Sequence, residues 1–283
     1  MNDKHGRDYH SRYVERKGLK TRMRSGETLL GSFVFLSHPS IIEILAEAGL
    51  DFFIIDLEHS PKSWDVVENM IRAAEVYGLP ALIRVPENKP EAILHALEVG
   101  AAGIAVPFVE TATDVRRSID ALRYFPDGMR GTCTQTRAAR HGVFRSDFVE
   151  YAASRNEELV LMGLIENQAG VANIDEILAV PDGLDCLLLG RADLASVLGK
   201  PGQSGDPVVV QACDQVLAAV QRAKAKPSSD IATAAALAVY GPSDVARWAA
   251  RGCSVFVAPS DSSMFVDAAS AWRKDIAAAA NGS

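Results

Sequence analysis

ALIRVPENKPEAILHALEVGAAGIAVP, residues 81–107, contains one whole unit of the rhythm that sets the fold. Ala81–Arg84 is an apolar run of strand length, Pro90–Val99 has helical periodicity, Gly100 stops it, and Gly103–Val106 is a second apolar run. A strand, a covering helix and a second strand after a short turn describe a parallel pair, because parallel strands need a crossover connection.

The same alternation extends both ways. Strands are expected at Gly31–Leu36, Phe52–Asp56, Ala81–Arg84, Gly103–Val106, Val160–Ile165, Cys186–Leu189, Asp230–Ala234 and Ser254–Ala258. Amphipathic helices are expected at Ile41–Ala48, Trp64–Tyr77, Pro90–Val99, Ala112–Tyr124, Val171–Ala179, Val208–Lys224, Pro242–Arg251 and Asp261–Ala278. Gly49, Gly78, Gly100 and Gly252 each follow a helix and precede a strand. Eight β/α units with short returns predict an α/β fold, a closed (β/α)₈ TIM barrel; a doubly wound open sheet is the competing arrangement.

The barrel is expected to be a single domain over residues 29–283, with residues 1–28 as a basic N-terminal arm and one short helix. Residues 1–24 carry eight Lys or Arg against three acids and little apolar periodicity, which reads as a solvated arm, a targeting role being the weaker reading. Two stretches interrupt the rhythm: the Arg-rich connection 126–158 and the loop GKPGQSGDP at 199–207.

Composition narrows the function. A net charge of −7 with no concentration of basic residues in the folded part argues against nucleic acid and anionic membranes as partners. Apolar runs are only strand length, so neither a secretory signal nor a membrane span is expected, and a cytoplasmic location follows. Cys133, Cys186, Cys213 and Cys253 are scattered without ligand spacing and read as free thiols in a reducing compartment.

In a (β/α)₈ barrel the chemistry lies at the C-terminal ends of the strands. FFIIDLEHSP, residues 52–61, delivers Asp56, Glu58 and His59 there; LIRVP delivers Arg84, LVLMGLIEN delivers Glu166, and DCLLLGRADLA delivers Arg191 and Asp193. One acid at a strand end is often only a helix cap. Two acids, a His and an Arg from separate strands are more than capping requires. Glu166 and Asp193 offer oxygen ligands without thiols or paired histidines, which favours Mg²⁺ or Mn²⁺ over Zn²⁺. A 2-oxo acid would chelate such an ion, and Arg84 suits the negative charge of an enolate. His59, with an unperturbed pKa of about 6.5, is the natural proton carrier, with Asp56 or Glu58 to orient it. None of the nine lysines falls within a strand or at its last residue, so a Schiff base is the weaker route. Arg137, Arg140 and His141 in TQTRAARHG are candidates for a distal substrate carboxylate, although a solvated loop explains them equally well.

The blocks IIDLEHSP, LIRVPENKPEAILHALEVGAAGIAVPFVETATDVRR, RYFPDGMRG and GLIENQAGVANIDEILAV…GLDCLLLGRADLA together resemble the HpcH/HpaI aldolase family, over roughly Gly31 to Ala269. These are metal-dependent class II pyruvate aldolases, among them 4-hydroxy-2-oxoheptanedioate and 2-dehydro-3-deoxyglucarate aldolases. The resemblance implies a barrel of the phosphoenolpyruvate/pyruvate-binding type, assembled as a hexamer (a trimer of dimers) with the C-terminal helix exchanged between subunits. It implies cleavage of a 4-hydroxy-2-oxo acid to pyruvate and an aldehyde, or the reverse condensation. His59 with Asp56 would be the acid/base pair, Arg84 would hold substrate and enolate, and Glu166 and Asp193 would bind Mg²⁺ or Mn²⁺.

The departures matter as well. The family's Gln two residues before the metal-binding Glu is Leu164 here, its G-P-x-D-L is Gly190-Arg191-Ala192-Asp193-Leu194, and an acid usually Asp is Glu98. Leu164, Gly190, Arg191 and Ala192 are therefore expected to border the substrate, with Glu58 and Glu98 in supporting positions. A lost amide and a new rim cation at Arg191 suggest a substrate with an extra carboxylate. A citrate-like condensation using oxaloacetate is the alternative in the same fold, and a non-catalytic 2-oxo acid binding protein is the alternative outside catalysis.

Overall fold

The computed structural model describes residues 18–225 and 232–280. Its centre is a closed barrel of eight parallel strands in sequence order: β1 (Leu29–Val34), β2 (Phe52–Asp56), β3 (Ala81–Arg84), β4 (Gly103–Val106), β5 (Val160–Ile165), β6 (Cys186–Leu189), β7 (Ala234–Ala238) and β8 (Val255–Ala258). The pairing of β1 with β8 closes the ring and rules out the open sheet.

Helices α1 (Leu19–Arg24), α2 (Pro39–Glu47), α3 (Trp64–Val76), α4 (Pro90–Glu98), α5 (Ala112–Leu122), α6 (Phe148–Glu158), α7 (Gln168–Ala172), α8 (Ile174–Leu178), α9 (Arg191–Val197), α10 (Pro207–Lys224), α11 (Pro242–Ala249) and α12 (Asp261–Ala280), with a 3₁₀ segment at Arg140–Arg145, complete the described elements. Gly49, Gly78, Gly100 and Gly252 take the positive φ of helix-ending residues after α2, α3, α4 and α11.

Alternation along the strands sorts the side chains into two cores. One parity, including Phe52, Ile54, Leu82, Ala105, Met162, Leu164, Leu188, Ala236 and Val257, fills the barrel interior. The other, including Phe53, Ile55, Ile83, Val106, Ile165, Leu189 and Phe256, packs under the helices. Gly31 is where the interior needs no side chain, because the Phe52 ring occupies the place of its Cβ. Carried past the strand ends, the inner parity places Asp56, Arg84, Glu166 and Gly190 at the C-terminal mouth. Asp56 and Arg84 are also register partners across β2 and β3.

The N-terminal mouth is closed by α1. Its Leu19 and Met23 join the interior cluster. Arg24 Nε donates to the buried Asp185 at 2.8 Å, Lys20 Nζ lies 3.6 Å from the same carboxylate, and Arg22 pairs with Asp51 at 2.6 Å. Cys133 is exposed, whereas Cys186, Cys213 and Cys253 are buried free thiols, and burial pushes Cys213 and Cys253 up to about 12.

Four expectations need correction. The seventh strand is Ala234–Ala238, not Asp230–Ala234; Asp230 and Ile231 lie outside the described residues, as does the arm at 1–17. The register pairs Ala234 with Cys186 and Leu237 with Leu189, so the strand needs the apolar residues that follow Ala234. The segment 171–179 is two short helices that meet at Asn173. The connection 126–158 contains α6, and the chain after β6 turns at once into α9, for which no helix was expected.

Candidate active site

Asp56 is fully buried, and its carboxylate is the hub of the mouth. Oδ1 accepts from Arg84 Nε at 2.7 Å and from the Glu58 N–H at 3.1 Å, and Oδ2 accepts from the His59 N–H at 3.2 Å. Arg84 is buried too, its guanidinium 4.4 Å above the Phe33 ring and its Nη1 3.1 Å from Glu58 Oε2. Held on one edge by a carboxylate and on one face by an aromatic ring, the guanidinium is fixed before any substrate arrives.

His59 stands differently. Its side chain is 58% exposed, and the carboxylate beside its ring is Glu58, with Nε2 to Oε2 at 3.8 Å. Asp56 reaches the backbone of His59, and Glu58 is closest to the imidazole. Burial pushes the Glu58 carboxyl up, while the positive charge of Arg84 opposes that shift.

Glu166 is 2% exposed. Burial pushes its carboxyl up to about 7; the Phe108 N–H, donating to Oε1 at 2.7 Å, opposes the shift, and the negative charges of Asp193 and Glu58 add to it. Phe108 makes that bond from a left-handed backbone at φ 50°, a costly conformation for a bulky residue. On the other side is Gly190. A Cβ there would sit 2.6 Å from Glu166 Cβ and 2.9 Å from Oε2, so only glycine lets β6 come this close. Asp193 follows in the first turn of α9, partly buried.

Glu166 is buried and faces the negative charges of Asp193 and Glu58, a situation that a hard divalent cation would relieve, and the donor set fits Mg²⁺ or Mn²⁺. Among the described residues, no group of three or more His, Cys, Asp or Glu is arranged to hold a metal. Glu166 and Asp193 would therefore leave most coordination positions to water and substrate.

Of the other expected residues, Leu164 lies inside the barrel two positions before Glu166 on the same face, 2% exposed. Ala192 is exposed beside Asp193. Arg191 does not add charge to the mouth: it is buried, its Nη2 bonds the Ala238 carbonyl and, at 2.8 Å, Asp244, and its guanidinium lies against Tyr240 and Trp248. The two rings and the Asp244 carboxylate hold the guanidinium there.

Arg137 and Glu98 are at the far end of the molecule. Arg137 covers Gly100 and bonds Glu75 at 3.0 Å and the Val99 carbonyl at 2.9 Å, and Glu98 pairs with Arg130 at 2.9 Å. Arg137, Arg140 and His141 border a cavity of about 990 Å³ that also includes Leu19, Pro80 and Ala102, at the N-terminal side of the barrel. The connection after α5 runs back under the barrel, away from the mouth.

Sequence reasoning passed over Phe33, Lys62 and Phe108. The stacking of Phe33 on Arg84 could have been found from the inner parity of β1. Nothing in the sequence marks the left-handed turn at Phe108.

Residues 29–258 match the family described as HpcH/HpaI aldolase/citrate lyase. The chain is 33% identical over 204 residues to a hydroxypyruvate/pyruvate aldolase of Roseovarius nubinhibens, covering 72% of this chain and 78% of the relative. It is 31% identical over 248 residues to a 5-keto-4-deoxy-D-glucarate aldolase of Shigella boydii, covering 87% and 91%. A crystal structure of an HpcH/HpaI aldolase/citrate lyase family protein from Burkholderia cenocepacia superposes with a TM-score of 0.82 at 30% identity, covering 91% of this chain and 98% of the other.

Proposed function

The chain belongs to the HpcH/HpaI aldolase/citrate lyase family, and from that premise we propose that it is a carbon–carbon lyase cleaving a 4-hydroxy-2-oxo acid to pyruvate, or a close 2-oxo acid, and an aldehyde. The observation that carries this reading is the meeting of Arg84 and the buried Glu166 on the inner face of the barrel mouth, beside the accessible imidazole of His59. The relatives' names support a small oxo acid as substrate.

Glu166 and Asp193 would hold Mg²⁺ or Mn²⁺, which when bound supplies Lewis-acid polarisation of the 2-oxo group. The chain's own residues do the rest. Arg84, oriented by Asp56 and Phe33, binds the oxo acid's oxygens and offsets the charge that develops as the C3–C4 bond breaks and its electron pair moves into the enolate. His59 takes the proton from the 4-hydroxyl as that oxygen becomes the aldehyde carbonyl, with the Glu58 carboxylate beside its ring. Protonation of C3 then gives pyruvate. The inner wall beneath Glu166 is apolar at Leu164, which suits a methyl or methylene better than a second charge. Arg191 is paired with Asp244, so it does not offer a free cation to an additional carboxylate. This weighs against the citrate-like alternative.

In the same proposal the protein works as a homo-oligomer, in a reducing cytoplasmic compartment. The exposed apolar side chains of α12 support the first and the free thiols the second.

The test is solvent exchange of the methyl protons of pyruvate. In deuterated water with Mg²⁺ or Mn²⁺, the wild type is expected to label pyruvate, and His59→Ala to lose at least about a hundredfold in rate. Absence of exchange with pyruvate, oxaloacetate and their relatives in the presence of metal would overturn the enolate chemistry.

A further inference from the structure

His59 extends from the loop between β2 and α3 with little side-chain packing, so its position depends on the backbone beneath it. That backbone is tied on one side by Asp56, whose carboxylate takes the N–H groups of Glu58 and His59. On the other side stands Lys62. Its Nζ donates to the Asp56 carbonyl at 3.0 Å, the Ser60 carbonyl at 3.3 Å and Ser60 Oγ at 2.7 Å. An ammonium has three N–H donors, and all three go to groups that bracket His59.

Ser60 passes the restraint on. Its hydroxyl donates to the Phe35 carbonyl at 2.7 Å, just beyond β1. That segment is itself fixed by Asp261, which accepts the N–H of Phe35 at 2.8 Å and of Leu36 at 2.9 Å. The Lys62 amine thus ties the end of β2, through Ser60, to the segment after β1, which Asp261 ties in turn to the end of β8. Partial burial lowers the proton affinity of Lys62, but the negative charges of Asp56 and Asp261 work against that and help retain the cation.

We propose that Lys62 is a positioning residue: its ammonium braces the 56–60 loop so that His59 is presented to the substrate in one place. The proposal rests on the reading of His59 as proton carrier. Asp56 cannot isolate this role, because its removal also frees Arg84. Among the described residues, Lys62 bonds Asp56 and Ser60 and makes no hydrogen bond to Arg84 or Glu166, so it can be changed alone.

The experiment compares the wild type, Lys62→Met, Lys62→Arg and Ser60→Ala as full chains with Mn²⁺. Amide hydrogen exchange is read at Glu58 and His59, pyruvate methyl exchange is read for rate, and oxalate is titrated for binding. Lys62→Met is expected to speed exchange of the two amides by about tenfold and to slow pyruvate exchange by about tenfold or more. Oxalate affinity should stay within about twofold, because substrate is held by other residues. Lys62→Arg should restore part of both effects, and Ser60→Ala should show a smaller loss in the same direction.

Unchanged amides in Lys62→Met would overturn the brace whatever the enzyme does. Loosened amides with wild-type pyruvate exchange would overturn the positioning role, and so would a parallel loss of oxalate binding. If the wild type itself fails to label pyruvate, the functional reading falls while the amides still decide the brace.

Discussion

Gly190 is a residue whose lack of a side chain is a property of the site. The place its Cβ would take is already filled by Glu166, 2.6 Å from Cβ and 2.9 Å from Oε2. Gly190→Ala must therefore push the carboxylate off its bond to the Phe108 N–H or away from Asp193. Mn²⁺ affinity measured by titration is expected to fall by about ten- to a hundredfold, with the urea midpoint little changed. Equal affinity in the variant would show that Glu166 has room to move and that the close approach is incidental. What could be read from the sequence here follows a simple physical line. Asp56, Arg84 and Glu166 were legible because they end β2 and β3 or directly follow β5, where strand alternation still puts them inside. Arg191, Arg137 and Glu98 were misplaced because sequence order gives the strand end or the loop but not the direction of a long side chain. Arg191 chose Asp244 and two rings, and Arg137 the end of α4. Lys62 was passed over because only its amine, several bonds from the backbone, reaches β2.

Among the elements, β2 contributes most to both core and chemistry. Phe52 at its start fills the space over Gly31, and Asp56 at its end anchors Arg84. The two ends can be separated by mutation. Phe52→Ala removes a fully buried ring against a strand that has no side chain to replace it, so an unfolding loss of about 3–5 kcal/mol is expected in urea titration. Gly31→Ala should also destabilise, by overpacking, by about 1–3 kcal/mol. Combined, the two changes should cost less than their sum, because the new methyl occupies part of the vacated space. Strict additivity would mean that the two residues do not share that space. Seven strands were legible from apolar runs of strand length. The seventh in order was not, because AAALA has neither β-branched residues nor a sharp polar boundary, and its limits come from pairing with Cys186–Leu189 on one side and β8 on the other. The α9 helix was hidden for a related reason: RADLASV is too short for periodicity to show.

At the level of the molecule, α12 is out of proportion with the rest. It runs for 20 residues from Asp261, and only Asp261 is buried. Phe265, Trp272 and Ile276 are 72%, 69% and 61% exposed, in a protein whose other helices press their apolar faces onto the barrel. A helix with such side chains in water gains little from its own hydrogen bonds, since tertiary packing supplies most helical stability. Covering each of these side chains contributes about 1.5–3 kcal/mol. In the proposed oligomer the partner would be a second copy of the chain, and the two would exchange α12 for α12. Sedimentation at micromolar concentration is expected to show a species larger than the 30.3 kDa monomer, with a thermal midpoint that rises with concentration. Phe265→Asp with Trp272→Asp should shift the sedimenting species toward monomer. Glu166 follows β5 and Asp193 lies in α9, so neither proposed metal ligand is on α12 and Mn²⁺ binding by the altered chain should persist. A wild-type monomer whose stability is independent of concentration would leave α12 uncovered in solution and remove the case for helix exchange.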